Sequence, residues 1–292
     1  MLNWEIISSY SFLLIATGTF LLASAAGVVG SISVLKGQSL IGDAIGHAAY
    51  PGIVLAFMIF MVRDPLILLL GAMGTGILAF VLIQLVNRQS KLRLDAALAV
   101  TLSSFFGLGM VLKSYIQGHP EYASASQAGL KNYIFGQAAY IMEDDIKLIL
   151  VIAILSLLLF ALFYKEIKVF IFDEVYAKTI GYWTSLMYGV IMVMTMSIIG
   201  VGLKLVGTIL IASLLIIPTI TATMWSDRFH VVLLLAGFFG GLSAVVGTYF
   251  STLYNGLSTG PTIIVVMTLF SMFSMVFGRK GMLRQAIERS KY

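Results

Sequence analysis

Asp43 and His47 lie four residues apart inside a long apolar stretch, in the run Gly42-Asp43-Ala44-Ile45-Gly46-His47-Ala48-Ala49-Tyr50-Pro51. A carboxylate and an imidazole are costly in lipid and persist there mainly when they have a partner. Four residues is about one helical turn, so both side chains leave the same face. An oxygen and an imidazole nitrogen together suit Mn²⁺, Fe²⁺ or Zn²⁺. Pro51, four residues after His47, cannot donate the amide that would pair with the His47 carbonyl. One turn of one helix thus offers a carboxylate, an imidazole and a freed backbone oxygen, which reads as a divalent-metal site within a membrane. The plainer alternative is an internal ion pair that fixes helix packing.

The elements that must hold these residues are membrane spans. Hydrophobic residues make up 60% and charged residues 11% of the 292, and mean hydropathy is +1.01, outside the range of soluble domains. The composition predicts an all-α, polytopic integral membrane protein with one transmembrane domain over 1–292. At roughly 20 apolar residues per crossing, spans are expected near 11–33, 40–61, 66–87, 96–113, 146–164, 184–201, 205–225, 230–253 and 258–278. The fourth and sixth are short, so eight crossings plus a re-entrant piece is the other solution. The N-terminal segment has no basic start, which argues against a cleaved signal peptide. The chain has no cysteine, which excludes a disulfide framework, a thiolate metal site and a cysteine nucleophile.

Orientation follows from the cations. Lys36, Arg88, Lys91, Arg93, Lys165, Lys168, Lys178, Arg228, Arg279, Lys280, Arg284, Arg289 and Lys291 share one set of loops, 13 of the 18 Lys and Arg. Arg63, Lys113, Lys131, Lys147 and Lys204 fall on the other set, with the acidic run Glu143-Asp144-Asp145. The first set is expected to be cytoplasmic, with the C-terminus inside and Asp43 toward the inner end of the second span. The cations form no basic stripe with interleaved aromatics, which argues against nucleic-acid binding.

Two connections are long. The outer one, about 114–145, contains His119 and Glu121 and an amphipathic piece, 130–139, expected as a short helix. The inner one, about 165–183, contains a short surface helix from Phe172 to Gly181, with Asp173 and Glu174 at its start and Gly181 at its end. Small residues at helical spacing, Gly42 with Gly46, Gly71 with Thr75, Gly237 with Gly241 and Gly240 with Ala244, suit close helix contact. Lys204 reads as a snorkelling cation, His230 as an interfacial residue, and the scattered methionines as packing rather than a Cu⁺ route. The acidic run reads as a solvated helix start or a cation-gathering mouth.

These stretches resemble the bacterial ABC transporter permease family for manganese, zinc and iron. Leu40 to Gly52 is similar to that family's Gly-Asp-Ala-x-Ser-His-Ala-x-x-Pro-Gly signature, with Gly46 where serine is usual. Phe172 to Gly181 resembles its ATPase-docking segment, and Val206 to Leu210 through Leu215 to Pro218 its late apolar signature. The resemblance implies an importer in a prokaryotic plasma membrane. Its parts would be two copies of this permease, two cytoplasmic ATPase subunits and an extracellular metal-binding lipoprotein. It implies that Asp43 and His47 line the metal path, and that no cofactor is permanently bound. Asp173 and Glu174, with the small Ala177 and Gly181, are the residues expected at the ATPase. One helix offers too few ligands for a full shell, and a twofold dimer would supply two carboxylates and two imidazoles.

No Gly-x-x-x-x-Gly-Lys-Ser/Thr phosphate loop occurs, so ATP-driven transport would draw on a partner subunit. The rival class is a stand-alone secondary transporter or channel, which favours several buried carboxylates and an inverted repeat. No repeat is evident, and Asp43 is almost the only acid deep in a span. An intramembrane enzyme would need a His-Glu-x-x-His run or a buried Ser/His/Asp set, and neither is present.

Overall fold

A computed structural model describes residues 4–62, 64–119, 122, 141–254 and 256–284. The helix expected over 130–139 therefore lies outside the described residues, as do Glu121, Arg63, Lys131, Arg289 and Lys291. The helices are α1 (Trp4–Ile7), α2 (Tyr10–Leu35), α3 (Ile41–Phe60), α4 (Pro65–Gln89), α5 (Leu94–Gly118), α6 (Glu143–Leu162), α7 (Tyr164–Phe172), α8 (Glu174–Thr179), α9 (Thr184–Thr223), α10 (Phe229–Leu253) and α11 (Thr259–Phe277). Among the described residues there is no strand.

Among the described residues, eight helical stretches are long and apolar enough to cross a membrane, and Leu210–Thr223 is a shorter apolar helix. The fourth span is longer than expected, Leu94–Gly118, because the helix runs on through Lys113 and Ser114 instead of ending there. The two late spans expected at 184–201 and 205–225 are the two arms of α9. A straight helix of 40 residues would be about 60 Å long, twice the roughly 30 Å hydrocarbon core. The helix instead breaks at Gly207, whose φ of 79° and ψ of 171° fall in a region essentially closed to residues with a Cβ. The arms double back on each other: a Cβ at Gly202 would stand 2.4 Å from Ile211 Cδ1, a contact no straight helix permits.

The traverses alternate between two faces. At one face Lys36 meets Glu174 and Tyr188, Trp225 donates to Ser274, and the Lys280 amide donates to the Met224 carbonyl. At the other, Tyr10 donates to Glu143, and Lys204 pairs with Asp145. The described lysines and arginines concentrate on the first, here called the basic face.

Without a hydrophobic drive in lipid, packing depends on small residues and on hydroxyls paired between helices. Gly52 of α3 and Gly71 of α4 cross backbone to backbone, each facing the other's carbonyl oxygen. Thr19 bonds Thr248 at 3.2 Å, joining α2 to α10, and Ser31 bonds Thr219 at 2.9 Å, joining α2 to the second arm of α9. Val151, Ile154, Leu155, Leu158 and Leu162 on α6 are exposed, as expected for a helix turned toward lipid.

Candidate metal site and its supports

Asp43 lies in the first turn of α3, where no side chain caps the helix and a carboxylate offsets the positive end of the dipole. His47 follows one turn later. Its Nε2 stands 3.5 Å from Asp43 Oδ1, with side chains 16% and 33% exposed respectively. That separation is long for a charge-assisted hydrogen bond. It suits two atoms sharing one ion, since bonds of about 2.1 Å in a tetrahedron put neighbouring ligand atoms roughly 3.4 Å apart.

Among the described residues, His47 Nδ1 is buried without a hydrogen-bond partner; Nε2 is the ring nitrogen beside the carboxylate. The ring is oriented by packing. Phe106 of α5 meets it edge-on, centroids 4.9 Å apart at 86°, and also contacts Tyr50 at 6.1 Å. Tyr50 is fully buried against Gly109, where an added Cβ would lie 2.6 Å from its ring and 3.1 Å from the Pro51 nitrogen. Pro51 stands inside α3, leaving the His47 carbonyl without its usual amide four residues on. The other side of α3 lies on the second arm of α9: an added Cβ would be 2.9 Å from Leu215 Cδ1 at Gly42 and 3.4 Å from Ile211 Cγ2 at Gly46. The ligand pair therefore faces α5 while the glycine pair faces α9. Tyr50, three residues from His47, was readable from spacing; nothing in the sequence singles out Phe106.

Among the described residues, no group of three or more His, Cys, Asp and Glu side chains could hold a metal. One chain brings two candidate ligands together.

The connection at about 165–183, on the basic face, forms α7 and α8, separated at Asp173. Asp173 caps α8, its Oδ1 accepting from the Tyr176 amide at 2.8 Å. Glu174 turns inward, with Oε2 3.1 Å from Lys36 Nζ and 2.8 Å from the Tyr188 hydroxyl, and Oε1 3.2 Å from Lys178 Nζ. Burial alone would raise this carboxyl, but hydrogen bonds from Tyr188 and Lys36 and the nearby cations hold it below the usual glutamate range. Ala177 is fully buried, and Gly181 supplies the turn beyond α8 with φ of 88°. The outward surface of this segment carries the exposed apolar side chains Phe172, Val175, Tyr176, Ile180 and Trp183, beside the exposed Asp173, Lys178 and Thr179.

At the opposite face the acidic run is not an open cluster. Asp145 is buried and accepts from Lys204 at 2.6 Å and from the Met142 amide at 3.0 Å. Glu143 is bonded to Tyr10, and Asp144 to Lys147. Lys204 reaches this internal partner instead of snorkelling outward. His119 stacks on Tyr115 at 3.9 Å, and its Nδ1 lies 2.8 Å from the Tyr115 carbonyl oxygen, so its ring belongs to the end of α5.

The model of the ABC 3 transport family matches residues 9–278. The manganese transport system membrane protein MntC of Bacillus subtilis is 41% identical over 274 residues, 94% of this chain and 62% of that protein. This chain thus spans less than two thirds of that relative's length. The zinc transport system membrane protein TroC of Treponema pallidum is 37% identical over 98% of this chain and 96% of its own. Among solved structures, PsaBC from Streptococcus pneumoniae in complex with Fab superposes with a TM-score of 0.83 at 27% identity, covering 94% of this chain and 95% of that one.

Proposed function

The chain belongs to the ABC 3 transport family, and on that premise we propose that it is the membrane-spanning subunit of an ATP-driven importer of divalent transition-metal ions, Mn²⁺, Zn²⁺ or Fe²⁺. The names of its relatives support manganese and zinc. The observation that carries the site is the Asp43–His47 separation of 3.5 Å, the spacing of two ligands on one ion. In this reading the basic face is cytoplasmic, with the C-terminus on that side. An extracellular metal-binding lipoprotein delivers the ion to the opposite face. Two copies of the chain meet so that each contributes Asp43 and His47, giving four ligands where one chain has two. These replace part of the hydration shell, and binding stays weak enough for release.

The ATP is hydrolysed by two copies of a cytoplasmic subunit, since this chain carries no phosphate loop. That subunit docks on α8 and its flanks. The exposed Val175, Tyr176 and Ile180 supply the apolar contact, and Asp173 and Gly181 shape the segment's ends. Ala177 and Glu174 hold the segment to the permease from behind. A stand-alone transporter would leave this apolar surface on the basic face without an occupant.

Uptake of radioactive Mn²⁺ and Zn²⁺ into vesicles tests the reading. The vesicles would hold this chain, its ATPase and its binding protein. Asp43→Ala and His47→Ala are each expected to abolish uptake while the complex still assembles. Unchanged uptake in both variants would exclude the site.

A further inference from the structure

We propose that Lys36 is a positioning residue for transport: a strut that carries movement of α8 to the end of α3 bearing Asp43, within the importer reading above. Lys36 is the last residue of α2's cap, and its side chain is only 12% exposed. Its Nζ gathers three elements at once. It donates to Glu174 Oε2 of α8 at 3.1 Å and to the Tyr188 hydroxyl of α9 at 3.2 Å. It also stands 3.4 Å from the centroid of the Phe170 ring of α7, a cation held over an aromatic face. Phe170 and Tyr188 meet edge-on at 4.8 Å, so the ammonium sits in a cage closed by the carboxylate.

The other end of the strut is stiff. The Gly37 amide donates to the Val34 carbonyl and the Gln38 amide to the Ser33 carbonyl, with Gly37 at φ 74°. That is a Schellman closure of α2. The Ile41 amide then donates to the Gln38 carbonyl, and α3 begins. Gly37, Gln38 and Leu40 are thereby tied by backbone hydrogen bonds, and Asp43 follows in α3's first turn. A push on α8 reaches Lys36 through a partly buried ion pair and passes to α3 through this short turn. Coupling of this kind runs through packed contacts and ion pairs joining rigid elements.

The test uses the reconstituted transporter and reads metal ions moved per ATP hydrolysed. In Lys36→Met this ratio is expected to fall about tenfold, with ATPase co-purification unchanged. Lys36→Arg, which keeps the charge and the ring contact, should restore most of it. Because the chain has no cysteine, the pair Lys36→Cys with Glu174→Cys can be joined by a short bifunctional thiol reagent. Reduced coupling before joining and recovery after it are expected, since a strut works as well when covalent. This pair also carries the test if Lys36→Met fails to fold. An unchanged ratio in Lys36→Met, or loss not repaired by joining, overturns the strut. Should the parent chain itself move no metal, it is the importer reading that fails.

Discussion

Leu215 Cδ1 rests over Gly42, the residue immediately before Asp43, so that a Cβ there would stand 2.9 Å away. The contact is with the tip of a flexible side chain, which can rotate aside. At Gly30 of α2, the same residue presents its backbone instead: an added Cβ would lie 2.0 Å from the Leu215 carbonyl oxygen. Gly30→Ala is therefore expected to destabilise by about 1–3 kcal/mol, the usual cost of overpacking. Gly42→Ala is expected to cost less while shifting α3 and weakening metal uptake. Thermal unfolding in detergent checks the first, and uptake at limiting metal the second. Equal melting temperatures for the two variants would contradict this ordering.

Phe106 holds the His47 ring edge-on at 4.9 Å and does so without a polar contact, because His47 Nδ1 has no hydrogen-bond partner among the described residues. Supports of a ligand's orientation commonly change metal affinity by roughly 10–100-fold when lost. Phe106→Ala is expected at the low end, about tenfold, since packing restrains a ring less tightly than a hydrogen bond. The apparent metal affinity for uptake measures it. Phe106→Leu, which refills part of the space, should lie between the parent and Phe106→Ala.

Much of this arrangement was legible in the chain itself. Period, apolarity and a four-residue spacing put Asp43 and His47 on one face of a span, and cation distribution separated the two faces. The turn at Gly207 was only half visible. Two neighbouring apolar stretches suggested two passes, but a glycine with φ of 79° looks in sequence like any other span glycine. What could not be read is what side chains do across the molecule. Lys204 and Asp145 are 59 residues apart, and Lys36 and Glu174 are 138 apart. Long lysines at span ends normally reach for water, so only tertiary structure shows that these two turn inward. Glu174 and Ala177 were expected at the ATPase, yet Glu174 bonds Lys36 and Tyr188 and Ala177 is buried; a six-residue helix has too little periodicity to tell its faces apart.

Asp145 is 7% exposed at its side chain while Lys204 is 35% exposed, so removing one partner is not equivalent to removing the other. Lys204→Met leaves a buried carboxylate with a single amide donor, Met142. Stranding a buried charge costs about 3–5 kcal/mol, reduced here because the lysine end is partly solvated. Asp145→Asn keeps an acceptor for Met142 and leaves an ammonium that can turn to water. Lys204→Met is therefore expected to lower the melting temperature more than Asp145→Asn. The double variant should recover most of the difference in a double-mutant cycle.

The ion pair at Lys36 makes the basic face sensitive to acid. Glu174 is ionised more readily in the folded chain than in the unfolded one, because hydrogen bonds from Tyr188 and Lys36 outweigh its burial. A carboxyl shifted down in this way stabilises the fold at pH above its unfolded value, and that stabilisation drains as pH falls through the lower folded value. Lys36 is also shifted down, by burial, with Glu174 opposing. That shift makes stability rise with pH on the alkaline side, so the acid limb isolates the carboxylate. The parent should melt above Glu174→Gln at neutral pH, and the gap should close as pH drops below about 4.5, the ordinary glutamate value. Lys36→Met should show a flatter acid limb than the parent, since it has lost a partner that pulls the carboxyl down. A gap between parent and Glu174→Gln that stayed constant from neutral pH into the acid range would mean that ionised Glu174 adds nothing to the fold.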